Sequence, residues 1–343
     1  MPNEILTRAI DAVCSGTHLT ADHASAVLDE VMEGRASEVQ TGAFLVALRA
    51  KGETVAELTG LARTMRRLAA SVETDREELV DTAGTGGGPS TFNISTAAAL
   101  IAAAAGCAVA KHGNRSSTSR SGSADLLEAL GVRIELQPAD VAHCISELGF
   151  GFMFAPRHHT AMKHVGPVRK ELAVRTIFNF LGPLTNPAGA TRQLLGVSDS
   201  RYQETIAEAL LGLGCDRALV VTAEDGMDEI SVSGRTRVIE VSEGTTTEWF
   251  VTPADLGMVE APIELIAGGS PAENAAVVRS VLRGEERGPA RDVVLANAGA
   301  AILAGGQADD LRAGVERATE VLDSGAGAEI LERLVITTTK LDV

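Results

Sequence analysis

The residues best equipped for chemistry fall in three polar stretches. "DTAGTGGGPSTFNIST", residues 81–96, carries Gly84, Gly86, Gly87 and Gly88 ahead of hydroxyl and amide side chains, and an alanine-rich run follows. Glycines let a backbone approach a ligand and turn its N–H groups inward, and a helix start favours an anion. Ser95 is the expected N-cap of the alanine helix. "KHGNRSSTSRSGSAD", residues 111–125, offers Lys111 as a point charge, Asn114 as an amide, and a series of hydroxyls. "GMDEIS" sets Asp228 beside Glu229, just after the apolar run "RALVVTAEDG". Two adjacent carboxylates point in different directions, which suits hydrated Mg2+ on a phosphate better than a closed cage. Each stretch also has a plainer reading: a tight turn, a solvated loop, a decorated acidic surface.

Charge distribution favours the anion site. The chain holds 46 Asp and Glu against 30 Lys and Arg, for a formal charge of −16. That balance argues against a general nucleic-acid or membrane-surface role. Yet no acid occurs between Thr82 and Ala124, where Lys111, Arg115 and Arg120 lie. None occurs between Leu148 and Lys170 either, a window holding Arg157, Lys163, Arg169, His158, His159 and His164. A carboxylate beside a multiply charged anion would repel it, and these windows lack one. The glycine pattern is neither GxGxxG, since Pro89 takes the sixth position, nor a P-loop, since no GK[ST] follows.

Positioning these stretches requires two kinds of architecture. Up to Leu68 the apolar residues recur at helical spacing, as in Ile10 and Val13, Val27 and Val31, Phe44 and Leu48, Leu58 and Met65. Thr20 is an expected N-cap with Gly34 as stop, and a further helix starts near Ser37 and ends at Gly52. After Thr74, β-like runs ("ELVDTAG", "CAVAKHG", "RALVVTAEDG", "TRVIEV", "TEWFV") alternate with helices, implying a mostly parallel central sheet. The expected fold is α/β: a small all-helical domain, residues 1–72, on a large α/β domain, residues 73–343. Cys14, Cys107, Cys144 and Cys215 form no CxxC pair and read as reduced thiols in a cytoplasmic protein. The N-terminus has no signal-peptide pattern, and the uncharged run from Phe92 to Ala110 is mostly alanine, so it reads as a buried helix rather than a membrane span.

Three long motifs carry a resemblance. "DTAGTGGGPSTFNISTAAALIAAAAGCAVAKHGNRSSTSRSGSADLLEALGV", "GFMFAPRHHTAMKHVGPVRKELAVRTIFNFLGPLTNPA" and "DGMDEIS" closely resemble, in order, the anthranilate phosphoribosyltransferases. The resemblance implies a nucleoside phosphorylase/phosphoribosyltransferase-like fold, hinged and commonly homodimeric. It also implies that a segment near residues 168–190 rejoins the helical domain. The activity implied is transfer of ribose 5-phosphate from phosphoribosyl pyrophosphate to the amine of anthranilate, with Mg2+, two ions per active site. Gly84, Gly86 and Gly87 would line the substrate junction. Gly84, Gly87, Gly88, Thr91, Asn93, Ser95 and Thr96 would hold phosphoribosyl pyrophosphate from the first motif. Lys111, Asn114, Arg115, Ser116, Ser117, Ser119 and Ser123 would hold it from the loop after the second β-run. Gly84, His112, Asn114, His159 and Arg169 match positions facing anthranilate, where a guanidinium suits a carboxylate. Ser95, Asp228 and Glu229 match metal positions.

An aromatic amine is neutral at pH 7, so no general base is required, and His112 is only a weak candidate for one. One departure stands out: the family reads GTGGDG-x-x-T where this chain reads "GTGGGPST", with Gly88 in place of an aspartate and one residue fewer. Lost charge there implies weaker Mg2+ binding at that edge and less inhibition by excess Mg2+. Rival readings are a pyrimidine nucleoside phosphorylase, a paralogue using another aromatic acceptor, and a non-catalytic nucleic-acid-binding relative.

Overall fold

The computed structural model describes residues 2–116 and 120–341. Four helices open the chain, α1 (Glu4–Cys14), α2 (Ala21–Met32), α3 (Glu38–Lys51) and α4 (Val55–Leu68). Local chemistry sets their ends. Thr20 and Ser37 cap α2 and α3 by accepting from the backbone N–H of His23 and Gln40, both at 3.2 Å. Gly52, at φ 90°, ends α3 in a conformation that side chains resist.

The rest alternates strands and helices: β1 (Val80–Gly84), α5 (Ile94–Ala104), β2 (Val109–Gly113), α6 (Ser123–Ala129), α7 (Pro138–Leu148), β3 (Phe150–Phe154) and α8 (Ala155–His158). Next come α9 (Gly166–Leu172), α10 (Phe178–Leu181), β4 (Arg192–Gly196), α11 (Gln203–Gly212), β5 (Arg217–Ala223), β6 (Thr236–Ser242) and β7 (Thr245–Val251). Four helices follow: α12 (Pro271–Leu282), α13 (Pro289–Ala304), α14 (Leu311–Asp323) and α15 (Ala326–Lys340). The seven-stranded sheet has the order β3-β2-β1-β4-β5-β6-β7. Strands β1 to β5 run parallel, β6 pairs antiparallel with β5, and β7 pairs antiparallel with β6. Strands β3 and β4 were not among the β-runs singled out from sequence; their runs "FGFMF" and "RQLLG" lack the alternation that marks a half-exposed strand, because both faces are covered.

Alternate residues of the inner strands feed two cores. Leu194, Leu219 and Val221 face a core built with α5 and α13. Leu195, Ala218 and Val220 face a second core shared with residues of α1 to α4 and α11, and with Val168, Ile177 and Phe178. The alanine run becomes α5, whose residues Ala97 to Ala102 are fully buried. Alanine lets helices approach closely, and no helix among the described residues is long and apolar enough to cross a membrane.

One expectation fails here. Asn93, not Ser95, is the N-cap of α5; it adopts a left-handed conformation at φ 68°, and Ser95 lies inside the first turn. Asparagine tolerates that region better than other side chains, so the chain turns into the helix two residues earlier than a hydroxyl cap would place it.

Candidate active site

The polar stretches converge at the carboxyl ends of the parallel strands, where open α/β sheets bind ligands. Strand β1 ends in the glycine loop, β2 in Lys111 to Asn114, and β5 is followed by the loop of Asp228 and Glu229. The glycine loop and the acid loop touch directly. The Gly86 N–H donates to Asp228 Oδ2 at 2.8 Å. A Cβ on Gly84 would meet that oxygen at 2.5 Å, one on Gly88 would meet the Gly226 carbonyl at 2.6 Å, and one on Gly196 would meet the Asp228 carbonyl at 1.7 Å. These glycines therefore make room for the acid loop; Gly86 and Gly87 alone use left-handed backbone, at φ 63° and 91°.

The acid loop is fixed from behind by α13. Fully buried Asn297 accepts from the Ile230 N–H at 2.9 Å and donates to the Ile230 carbonyl at 2.9 Å. Desolvation raises the affinity of Asp228 and Glu229 for protons, and Asp228 adds repulsion to Glu229. Lys111 is the counter-charge near Glu229, and Arg175 the one near Asp228. Lys111 is almost fully buried, and its Nζ donates to Thr82 Oγ1 at 2.9 Å, to Ser95 Oγ at 3.3 Å and to the Thr82 carbonyl. Burial pushes its own pKa down.

The donor set fits Mg2+. Two desolvated carboxylates lie side by side, Glu229 at the Ser95 backbone N–H, and Lys111 is shared between Glu229 and the buried Asp81, so a divalent cation would supply the missing positive charge. No group of three or more His, Cys, Asp or Glu able to hold a metal occurs among the described residues. A cation here must complete its shell with water and substrate oxygens, as hydrated Mg2+ does.

His112 and His159 meet with ring centroids 5.0 Å apart. His112 Nδ1 lies 3.2 Å from the Gly182 carbonyl. A carbonyl can only accept, so Nδ1 carries the hydrogen and Nε2 is left as an acceptor. Nε2 of both rings is buried without a partner among the described residues. Burial, and for His112 the neighbouring His159, drives His112 down to about 3; burial and His158 drive His159 to about 4. Both rings are neutral at pH 7 and poor proton acceptors.

Comparison with known proteins decides the family. Residues 76–328 match the glycosyl transferase family a/b domain, and residues 7–69 its helical bundle domain. A Rubrobacter xylanophilus protein named anthranilate phosphoribosyltransferase is 52% identical over 332 residues, covering 96% of this chain and 97% of that one. The chain belongs to the anthranilate phosphoribosyltransferase family. The Thermus thermophilus anthranilate phosphoribosyltransferase structure aligns with a TM-score of 0.92 at 48% identity, covering 96% of this chain and 99% of that one. The Saccharomyces cerevisiae enzyme in complex with PRPP and Mg aligns with a TM-score of 0.90 at 27% identity, covering 98% of each chain.

Other family-matched positions are placed less directly. Asn93 spends its side chain on scaffold bonds: Nδ2 donates to the Ser121 carbonyl at 2.9 Å, while Oδ1 accepts from Ser121 Oγ at 3.0 Å and Asn274 Nδ2 at 2.9 Å. Thr91 forms a bridge with Ala267. Thr96 is fully buried, its hydroxyl without a partner among the described residues. Arg115 is exposed and its guanidinium is engaged by Asp125 and Glu128. The Ser116 N–H donates to Asp125 Oδ2 at 3.1 Å, and Ser123 Oγ donates to the Asn114 carbonyl at 3.4 Å. The exposed Asn114 turns its Oδ1 to the Arg115 N–H at 2.7 Å. Ser117 and Ser119 lie outside the described residues. Arg169 stacks over Phe178 at 5.4 Å and has no ion-pair partner among the described residues. Sequence reasoning missed Asn297, Gly196 and Arg175. The only local signal for them was a glycine at a strand end and an arginine inside an already recognised motif.

Proposed function

We propose that the protein transfers the 5-phosphoribosyl group of phosphoribosyl pyrophosphate to the amine of anthranilate, giving N-(5-phosphoribosyl)anthranilate and pyrophosphate in tryptophan biosynthesis. The observation that carries this reading is the acid pair Asp228–Glu229 held against a glycine loop, with Lys111 and Ser95 beside it. The C1–oxygen bond to pyrophosphate breaks, the C1–nitrogen bond forms, and the amine loses a proton to water. Asp228, Glu229 and Ser95 would hold Mg2+, two ions per site, which when bound neutralises charge on the leaving pyrophosphate. Lys111 adds positive charge beside the same oxygens, and the N–H groups of Gly87 and Gly88 are the loop donors proposed for them, since Asp228 holds that of Gly86. His112 Nε2, an unpartnered acceptor, suits the amine hydrogens of anthranilate. His159 and the uncompensated charge of Arg169 suit its other edge and carboxylate. Holding both substrates in line contributes several kcal/mol of barrier reduction.

For Asn93, Thr96 and Arg115 the internal partners and burial favour a positioning role behind the phosphates. Thr91, Asn114, Ser116, Ser117, Ser119 and Ser123 remain in the proposed phosphoribosyl pyrophosphate set. The proposed domain division is 1–72 and 73–343, with residues 168–190 on the helical side, supported by the core that Val168, Ile177 and Phe178 share with α1 to α4. A cytoplasmic homodimer completes the reading. Anthranilate fluorescence should fall when protein, phosphoribosyl pyrophosphate and Mg2+ are mixed, and should hold steady with EDTA. No loss, together with turnover of another aromatic amine, would move the assignment to a paralogous transferase.

A further inference from the structure

Arg175 lies in the link between α9 and α10, two residues after Ala173, which turns the chain at φ 51°. Its backbone is pinned on both sides. Arg49 of α3 donates from Nη1 to the Arg175 carbonyl at 2.7 Å, and the Thr176 N–H donates to Asn179 Oδ1 at 2.9 Å. The side chain passes the Phe180 ring, 5.9 Å from its centroid, and reaches the glycine loop.

There the guanidinium rests on bare backbone. A Cβ on Gly87 would lie 2.0 Å from Arg175 Nη1, so only glycine admits the approach. Its hydrogen bonds are long and go to neutral acceptors: Nη1 to Ser198 Oγ at 3.4 Å and Nη2 to the Thr85 carbonyl at 3.5 Å. Arg115, Arg192, Arg217 and Arg237 each reach a carboxylate, whereas no ion pair involves Arg175 among the described residues. The same loop connects it to the acid pair. Ser198 Oγ donates to the Gly86 carbonyl at 2.7 Å, and the Gly86 N–H donates to Asp228 Oδ2 at 2.8 Å.

A planar cation held by long neutral bonds over the glycine loop is poised to exchange them for shorter, charge-assisted bonds to phosphate oxygens. We infer that Arg175 contacts the pyrophosphate of phosphoribosyl pyrophosphate across the glycine loop, a contact not assigned to it by its motif. The inference rests on the phosphoribosyl-transfer reading.

Titrating Mg2+-pyrophosphate into the full-length protein by calorimetry tests it, using the natural protein, Arg175→Gln and Arg175→Lys. Losing hydrogen bonds from a charged group to phosphate weakens binding by about 10- to 100-fold. That loss is expected for Arg175→Gln, and a smaller one for Arg175→Lys, which keeps charge without the fork. Steady-state rates should show a raised KM for phosphoribosyl pyrophosphate with the KM for anthranilate unchanged, a split that general loop damage would not produce. Should Arg175→Gln not fold, Arg175→Lys carries both readouts. If the natural protein binds pyrophosphate and the variants bind it equally well, Arg175 is no pyrophosphate contact. If the natural protein binds none, the transfer reading falls, and this inference with it.

Discussion

Removing the Asn297 side chain should loosen the acid pair from a distance. Asn297 is fully buried on α13, and its amide makes both hydrogen bonds to the Ile230 backbone at 2.9 Å, with a third to the Val293 carbonyl at 2.8 Å. Asn297→Ala leaves the buried Ile230 N–H without an acceptor, which costs about 1–3 kcal/mol. The Ile230 carbonyl loses its donor as well, so a total near the top of that range is expected. Glu229 is bonded to Ile230, so the slack passes directly to the metal-facing carboxylate. Urea unfolding should report the stability loss, and a rate-versus-Mg2+ titration should shift to higher half-saturating Mg2+. A stability change within about 0.5 kcal/mol, the range typical of unimportant surface changes, with an unmoved Mg2+ curve would refute the clamp. A stability loss with an unmoved Mg2+ curve would confine Asn297 to a purely structural role.

Three further outcomes follow from the geometry. Gly196→Ala places a Cβ 1.7 Å from the Asp228 carbonyl; because backbone must move, denaturant midpoints should drop by the equivalent of about 1–3 kcal/mol, with weaker Mg2+ activation. Gly88→Asp should not restore a family-like Mg2+ response, since its Cβ would meet the Gly226 carbonyl at 2.6 Å. A rate-versus-Mg2+ titration should find that variant weaker, and only a loop one residue longer should regain inhibition by excess Mg2+. Burial lowers His159 to about 4 from an unfolded value near 6.5, so its stabilising contribution is complete above pH 6.5 and is lost as pH falls toward 4. Urea midpoints measured between pH 6.5 and 5 should therefore slope less in His159→Gln than in the natural protein.

Short-range features were legible in the sequence because the atoms that decide them are neighbours. Thr20 and Ser37 cap helices through bonds three residues away, and apolar periodicity marked α1 to α4. The motif order "GTGGG…KHGN…GMDEIS" also identified the ligand class, because phosphate and Mg2+ chemistry needs particular residue types. Tertiary structure decided how those residues are used. Gly86 meets Asp228 across 142 residues, Ile230 meets Asn297 across 67, and Asn93 meets Asn274 across 181. Such partners have no local signature. That is why Asn93 reads as a phosphate ligand in sequence yet is consumed by scaffold bonds, and why Ser95 reads as a cap yet faces Lys111 from within the helix. It is also why Gly84 and Gly88 prove to be clearances for the acid loop as much as a cradle for an anion. The chemistry depended on residue type, which a sequence states; the division of labour depended on which groups folding left unpaired, and only the assembled strands and helices set that.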